Sequence, residues 1–210
     1  MLVGNDVVDL RDPETRPAAI HRRFDERAFT PAERVRLTAS ETAHRVRWRM
    51  WAAKESAFKV ARKLDPGTRF LPRAFSVQLG EDARAVVRHA MGRFEVSFSW
   101  TDDWVHAIAT PSDSAEIPGP GGPHAGRGVE ALLERARWGR TATAQVSARV
   151  RSMARSAIGS VLSISPFEIE IVTAGGVPVA TWRESPLPID LSLSHHGRFL
   201  ACVWTRSSRA

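Results

Sequence analysis

Apolar residues recur at three- and four-residue spacing over residues 40–64, where Val46, Met50, Ala53, Ala57, Ala61 and Leu64 form one stripe. That period predicts an amphipathic helix facing a core. Trp51, Glu55, Phe58, Lys59 and Arg62 fall on a neighbouring face of the same helix. Upstream, Thr30-Pro31-Ala32-Glu33 has the form of a capping box with proline at the first helical position, so a helix is expected to start there. Downstream the period shortens. Residues 74–79, 85–88, 94–100 and 104–109 are short runs with strand character, several of them alternating in polarity, and they read as a meander packed on the long helix. At the start of the chain, Leu2-Val3 and Val7-Val8 flank what reads as a polar turn.

Residues 117–128, rich in proline and glycine, have no apolar period and read as a linker between residues 1–116 and 129–210. The second part is expected to repeat the order of helix then strands. Val150, Met153, Ala157 and Val161 lie along one side of a helix over 146–162, with Arg149, Arg151 and Arg155 mostly elsewhere. Ser165-Pro166-Phe167-Glu168 closes a short turn before a strand over 169–172. A turn at 175–178 follows, and then a pair of strands over 189–194 and 199–204. Residues 104–109 and 199–204 are candidates for equivalent strands in two related halves. The expected class is therefore α+β, each half a helix on a small antiparallel sheet.

Composition narrows the setting. The 210 residues are 43% hydrophobic and 25% charged, ordinary globular values, and no apolar run approaches the roughly 20 residues needed to cross a bilayer. The first residues lack the basic region and apolar core of a secretory signal, and a single cysteine, Cys202, permits no internal disulfide, so a reducing cytoplasm is the expected location. A formal charge of +7 suggests an acidic partner, whether nucleic acid, phosphorylated cofactor or protein.

The cations are almost all arginine. The three lysines, Lys54, Lys59 and Lys63, all fall within residues 54–63, which singles this stretch out for chemistry that needs an ammonium. The competing reading is a solvated helix face, with Glu55 and Lys59 as a four-residue ion pair. Asp6 and Asp9, in a strand-like run, could join Glu55 as hard oxygen ligands for magnesium, or could cap a turn. Ser194-His195-His196-Gly197 offers a hydroxyl and imidazoles able to hold a phosphate, although paired histidines also occur on plain surface loops. No Walker loop, zinc-spaced Cys/His set or Gly-x-Ser-x-Gly elbow competes.

Together, Gly4-Asn5-Asp6, Trp51-Ala-Ala-Lys54-Glu55-Ser56-Ala-Phe-Lys59 and Ser194-His195-His196-Gly197 after Gly176-Val177-Pro178 resemble the marks of the 4′-phosphopantetheinyl transferase superfamily. The last two pieces are those of its longer, surfactin-synthetase-activating type. In that type the arginine-bearing helix, Gly-x-Pro and Ser-His-x-Gly precede Gly-x-Asp and Lys-Glu-Ser; here they follow, as in a circular permutation or a fusion of half-modules. The resemblance implies a pseudo-twofold fold. Val8 stands where the longer type carries an acidic residue, while Asp9 matches the spacing of the short holo-acyl-carrier-protein synthases. Val177 stands where a lysine often meets the nucleotide phosphate, a task for which Arg155 or Arg151 could substitute.

The implied activity is magnesium-dependent transfer of 4′-phosphopantetheine from coenzyme A to a serine of an acidic apo carrier protein, releasing adenosine 3′,5′-bisphosphate. On this resemblance Asp6 and Glu55, with Asp9, hold the metal. Glu55 takes the serine proton, directly or through a water, and Lys59 neutralises the departing phosphate. Ser194, His195, Gly176, Pro178, Arg151 and Arg155 face the cofactor, and Lys54 contacts either substrate or only the surface. Trp51 is expected in the core. A monomer is expected, with neither nucleic acid nor membrane as partner. The alternatives are a non-catalytic relative binding coenzyme A or a carrier protein, motivated by Val8, Val177 and the altered order, and a basic nucleic-acid-binding protein.

Overall fold

The polar-looking start of the chain is a strand. In the computed structural model, which describes residues 1–81, 83–112, 128–135 and 143–206, β1 (Gly4–Asp9) is buried along its whole length. It is covered on both faces. Gly4 and Val8 look toward a long helix, while Val3 and Val7 look toward the second part of the chain. An alternation of two buried sides leaves no amphipathic pattern to read, which is why Asn5 and Asp6 suggested a turn.

After β1 come two short helices, α1 (Phe24–Ala28) and α2 (Pro31–Thr38), and then α3 (Ala43–Leu64). The capping box at Thr30 forms as expected, the hydroxyl accepting from the Glu33 amide and Glu33 returning a bond to the Thr30 amide. The meander also forms, as β2 (Ser76–Leu79), β3 (Arg84–His89), β4 (Gly92–Trp100) and β5 (Trp104–Pro111). With β1 it makes a five-stranded antiparallel sheet in the order β1-β5-β4-β3-β2. Helix α3 lies across this sheet. Met50, Ala53, Ala57 and Ala61 are fully buried as the stripe predicts, but so are Ala52, Lys54, Ser56 and Val60, and Leu64 is exposed. The helix is buried almost all round through its middle because β1 covers one side and Phe24, Phe70 and Phe75 pack on its own Trp48, Trp51 and Phe58 on another.

The expected linker, 117–128, lies outside the described residues apart from Gly128. Beyond it the order differs from expectation, because strand β6 (Val129–Arg135) precedes the helix α4 (Thr143–Leu162). Then follow β7 (Ile169–Ala174), β8 (Val177–Trp182), β9 (Ser185–Pro186), β10 (Ile189–His196) and β11 (Phe199–Arg206). They form two three-stranded antiparallel sheets, β10-β11-β6 and β7-β8-β9, and α4 packs on both through Val150, Met153, Ala154 and Ile158. The architecture is α+β, a long helix on antiparallel strands in each part.

The two parts meet face to face along β1 and β5 on one side and β11 and β6 on the other, burying Val3, Ile108, Val129 and Val203 in one cluster and Val7, Phe199 and Ala201 in another. The free edge of β1 is then sealed by side chains. Val3, Asn5, Val7 and Asp9 donate their amides to Asp190, Ser192, Ser194 and His196 of β10, at 2.7, 2.9, 3.1 and 3.1 Å. Because both members of each pair advance by two, β10 runs in the same direction as β1, and its polar side chains take the place of a backbone ladder. Buried amides that lacked these acceptors would each cost about 1–3 kcal/mol.

Candidate active site

Glycine at position 4 is required by packing. A Cβ there would collide with the carbonyl oxygen of Ser56 and crowd Val60 and Lys59, so its absence lets β1 press directly on α3. That close approach brings Asp6, two residues along the same face of the strand, against Glu55 and Lys59, one turn apart on the helix.

Asp6 is buried and held at one oxygen. Its Oδ1 accepts from the Ser194 hydroxyl at 2.8 Å and lies 3.5 Å from Lys59 Nζ. No hydrogen bond among the described residues reaches its Oδ2. Burial raises the Asp6 pKa against the pull of Lys59, Ser194 and His196. Glu55 makes no hydrogen bond among the described residues. Burial first, and the Asp6 charge second, push its carboxyl up to about 7, with Lys59 opposing them. Lys59 itself donates to the carbonyls of Asn5, at 2.6 Å, and Leu193, at 3.3 Å, so it ties β1 to β10 across the site and does not serve as the solvated partner of Glu55.

The pair fits a hard divalent cation. The two carboxylates stand close enough for the Asp6 charge to raise the proton affinity of Glu55, and three of their four oxygens accept from no donor among the described residues, an arrangement that suits magnesium shared with phosphate oxygens and water. Among the described residues no cluster of three His, Cys, Asp or Glu could add a third protein ligand.

Two of the expected site residues belong elsewhere. Asp9, three positions after Asp6 on an extended strand, points to the opposite face. Its oxygens are bound by the Arg198 guanidinium, both bonds 2.7 Å, and by the amides of Arg198 and Arg11. Burial alone would raise its pKa, yet these donors hold it below the ordinary carboxylate range. Its lone pairs are committed, which corrects the expectation of a metal ligand. Lys54 is fully buried, with its ammonium bonded to both Glu33 oxygens at 2.9 and 2.8 Å and to the carbonyls of Pro72 and Phe75. It can reach neither cofactor nor surface, because it points away from β1 into the α2 side of the helix.

The second part supplies the rim. Ser194, expected at a phosphate, faces Asp6. His195 points to the other side of β10, where partial burial first, and then the charges of Lys59 and Arg151, lower its pKa. His196, read from the sequence with His195 as an imidazole able to hold a phosphate, is the histidine whose ring accepts the Asp9 amide. Gly175 and Gly176 form the two-residue turn between β7 and β8, both at positive φ, and Pro178 follows in β8. The guanidinium of Arg62 rests on Gly176, where a Cβ would strike it. Arg62 was missed as a site residue, although its position seven after Glu55 puts it on the same helix face. Arg151 donates to the Ser147 and Thr173 hydroxyls, bracing α4 against the end of β7, and Arg155 lies partly buried one turn further along α4.

Residues 2–109, which carry β1, α3 and the carboxylate pair, match the family model described as the 4′-phosphopantetheinyl transferase superfamily. This chain belongs to that superfamily. Among solved structures it resembles the holo-[acyl-carrier-protein] synthase of Neisseria meningitidis, with 19% identity and a TM-score of 0.43 over 52% of this chain and 97% of that one. It also resembles the holo-[acyl-carrier-protein] synthase of Thermotoga maritima, with 16% identity and a TM-score of 0.40 over 64% of this chain and 69% of that one. No curated protein matches the sequence.

Proposed function

We propose that this protein transfers 4′-phosphopantetheine from coenzyme A to the side-chain hydroxyl of a serine on an apo carrier protein. The observation that carries the reading is the Asp6–Glu55 pair beside Lys59, built from the segment that matches the superfamily. Asp6 and Glu55 would hold magnesium, which when bound supplies charge neutralisation at the pyrophosphate. Glu55 accepts the serine proton, directly or through a water. The serine oxygen then bonds to the phosphorus next to the pantetheine arm, and the phosphoanhydride bond breaks. The electron pair leaves with adenosine 3′,5′-bisphosphate, beside the Lys59 ammonium.

His195, Arg151, Arg155 and Arg62, with the turn at Gly176 and Pro178, would meet the cofactor's phosphates from the rim. The net charge of +7 would draw an acidic carrier in a salt-sensitive way. We read residues 1–116 and 129–210 as halves related by a pseudo-twofold axis and joined by residues 117–128 in the permuted order, acting as a cytoplasmic monomer.

Intact-mass measurement of several apo carrier proteins incubated with this protein, coenzyme A and magnesium tests the reading. A gain of one phosphopantetheine that EDTA abolishes is expected. Coenzyme A bound by the folded protein with no gain on any carrier would turn the conclusion to a non-catalytic binder. In the same assay E55Q is expected to lose transfer while remaining folded; an active, folded E55Q contradicts the role given to Glu55.

A further inference from the structure

We propose that Ser194 is a positioning residue for Asp6 and is not a ligand of the substrate's phosphate. This inference rests on the proposed metal role of Asp6 and Glu55. A serine hydroxyl has one hydrogen to donate, and here it goes to Asp6 Oδ1 at 2.8 Å. The same oxygen accepts the Val7 amide at 3.1 Å, so donor and acceptor functions are both committed within β1. Ser194 is 6% exposed. To donate to a phosphate it would have to release a buried carboxylate oxygen, and a charged group deprived of its donor in such a place costs more than a neutral one.

The amide ladder fixes the hydroxyl. Asp190, Ser192, Ser194 and His196 are placed by successive amides of β1, so the Ser194 side chain is locked by the Val7 N–H before any ligand binds. Its proton is thereby aimed at Asp6. With Oδ1 held by Ser194 and Lys59, rotation of the carboxylate is restrained and Oδ2 is the oxygen left without a donor among the described residues, open to a cation. Ser192 provides the internal contrast. It accepts the Asn5 amide at 2.9 Å in the equivalent slot, one step earlier, and has no bond to a carboxylate among the described residues. The ladder needs only an acceptor; the second bond, to Asp6, is particular to Ser194.

The test is calorimetric titration of the purified protein with manganese, and separately with coenzyme A in EDTA, with melting temperatures recorded for every variant. S194A is expected to weaken manganese binding by about tenfold or more, within the 10–100-fold typical of residues that orient metal ligands. Its affinity for coenzyme A in EDTA should stay within about twofold of wild type. S194T and S194V have the same shape and differ by the hydroxyl, so S194T should bind manganese more tightly than S194V even if both lose stability. S192A should leave both affinities unchanged, and in a D6N background S194A should have no further effect on manganese.

Loss of coenzyme A affinity with manganese binding intact, in S194A or in S194V against S194T, would overturn the proposal and return Ser194 to the phosphate. So would S194A binding both ligands as wild type does. Wild-type protein that binds manganese at this site but modifies no carrier would sink the proposed function and leave the inference standing; wild-type protein that binds no manganese removes both.

Discussion

Of the three lysines on α3, one never meets solvent and the other two tie strands together, so their shared stretch of sequence conceals separate tasks. Lys54 and Glu33 form a buried pair in which the ammonium also donates to the Pro72 and Phe75 carbonyls and the carboxylate also accepts the Thr30 and Val77 amides. Burial lowers the Lys54 pKa and the Glu33 carboxylate opposes that shift. Removing only the cation leaves Glu33 charged in a dry site, so K54M is expected to cost about 3–5 kcal/mol in urea unfolding, with K54M/E33Q recovering part of it. Coenzyme A affinity per folded molecule should not change, and a selective loss of that affinity would restore Lys54 to the site. Glu55 makes a different prediction. Its folded pKa of about 7 lies above its ordinary 4.5, so the stability it contributes is present below pH 4.5 and is lost as pH rises through 7. On the proposed function, a cation held by Asp6 and Glu55 would take over where the proton leaves. Magnesium should therefore raise the melting temperature little at about pH 5.5 and progressively more through about pH 8, a dependence flattened by E55Q. An equal magnesium effect at both ends of that range, or one that survives in E55Q, would place the cation elsewhere.

At the scale of elements, the contact of β1 with α3 positions the whole carboxylate pair. Substitution G4A puts a methyl group into the Ser56 carbonyl, which belongs to a helix enclosed on all sides and cannot yield. The strand must back away instead. The expected result is a loss of about 1–3 kcal/mol of stability with a larger fall in transfer rate than in coenzyme A affinity, because Asp6 moves with the strand. Transfer at the wild-type rate in folded G4A would show that the approach is not needed. Much of this layout was legible in the sequence. The apolar stripe of α3, the Thr30 capping box and the alternating meander each have a local period or cap that needs no tertiary partner to be recognised. What escaped notice depends on such partners. Val129–Arg135 reads Val-Glu-Ala-Leu-Leu-Glu-Arg, a composition suited to a helix, yet it is a strand because the exposed edge of β11 pairs with it from Phe199 to Thr205. Gly4 and Asp6 were legible as a motif, but the ladder that fixes Ser194 on Asp6 joins residues 187 apart, and no spacing within either segment announces it. Asp9 was misplaced for a simpler reason: matching a family spacing says nothing about which face of the strand a residue occupies, whereas the two-residue period does.

For the whole molecule, the seam between the two sheets is what holds the site together. Lys63 adds to it, donating to the carbonyls of Val3 and Leu191 and to Asp190, at 2.6, 2.8 and 2.7 Å. None of these bonds depends on the order in which the two parts occur along the chain. The connectivity can therefore be changed without touching the seam, provided that the new junction is short. It is, because the Thr205 hydroxyl donates to the carbonyl of Met1 at 2.6 Å, which brings residue 205 beside residue 1. A permuted chain beginning at residue 129, running to 206, passing through a short Gly/Ser linker to residue 1 and ending at 112 would keep every interaction described at the site. Loop-closure entropy changes only with the logarithm of loop length, so its unfolding free energy should lie within about 1 kcal/mol of the natural order. Its helix content should be unchanged, and carrier modification should persist at a rate comparable to wild type. Activity in both arrangements would show that the two parts are exchangeable modules meeting at one seam. A permuted chain that folds but leaves carriers unmodified would mean that residues 113–128, or the connection they provide, contribute to the site; one that fails to fold would mean that the seam forms only when β1 is made first.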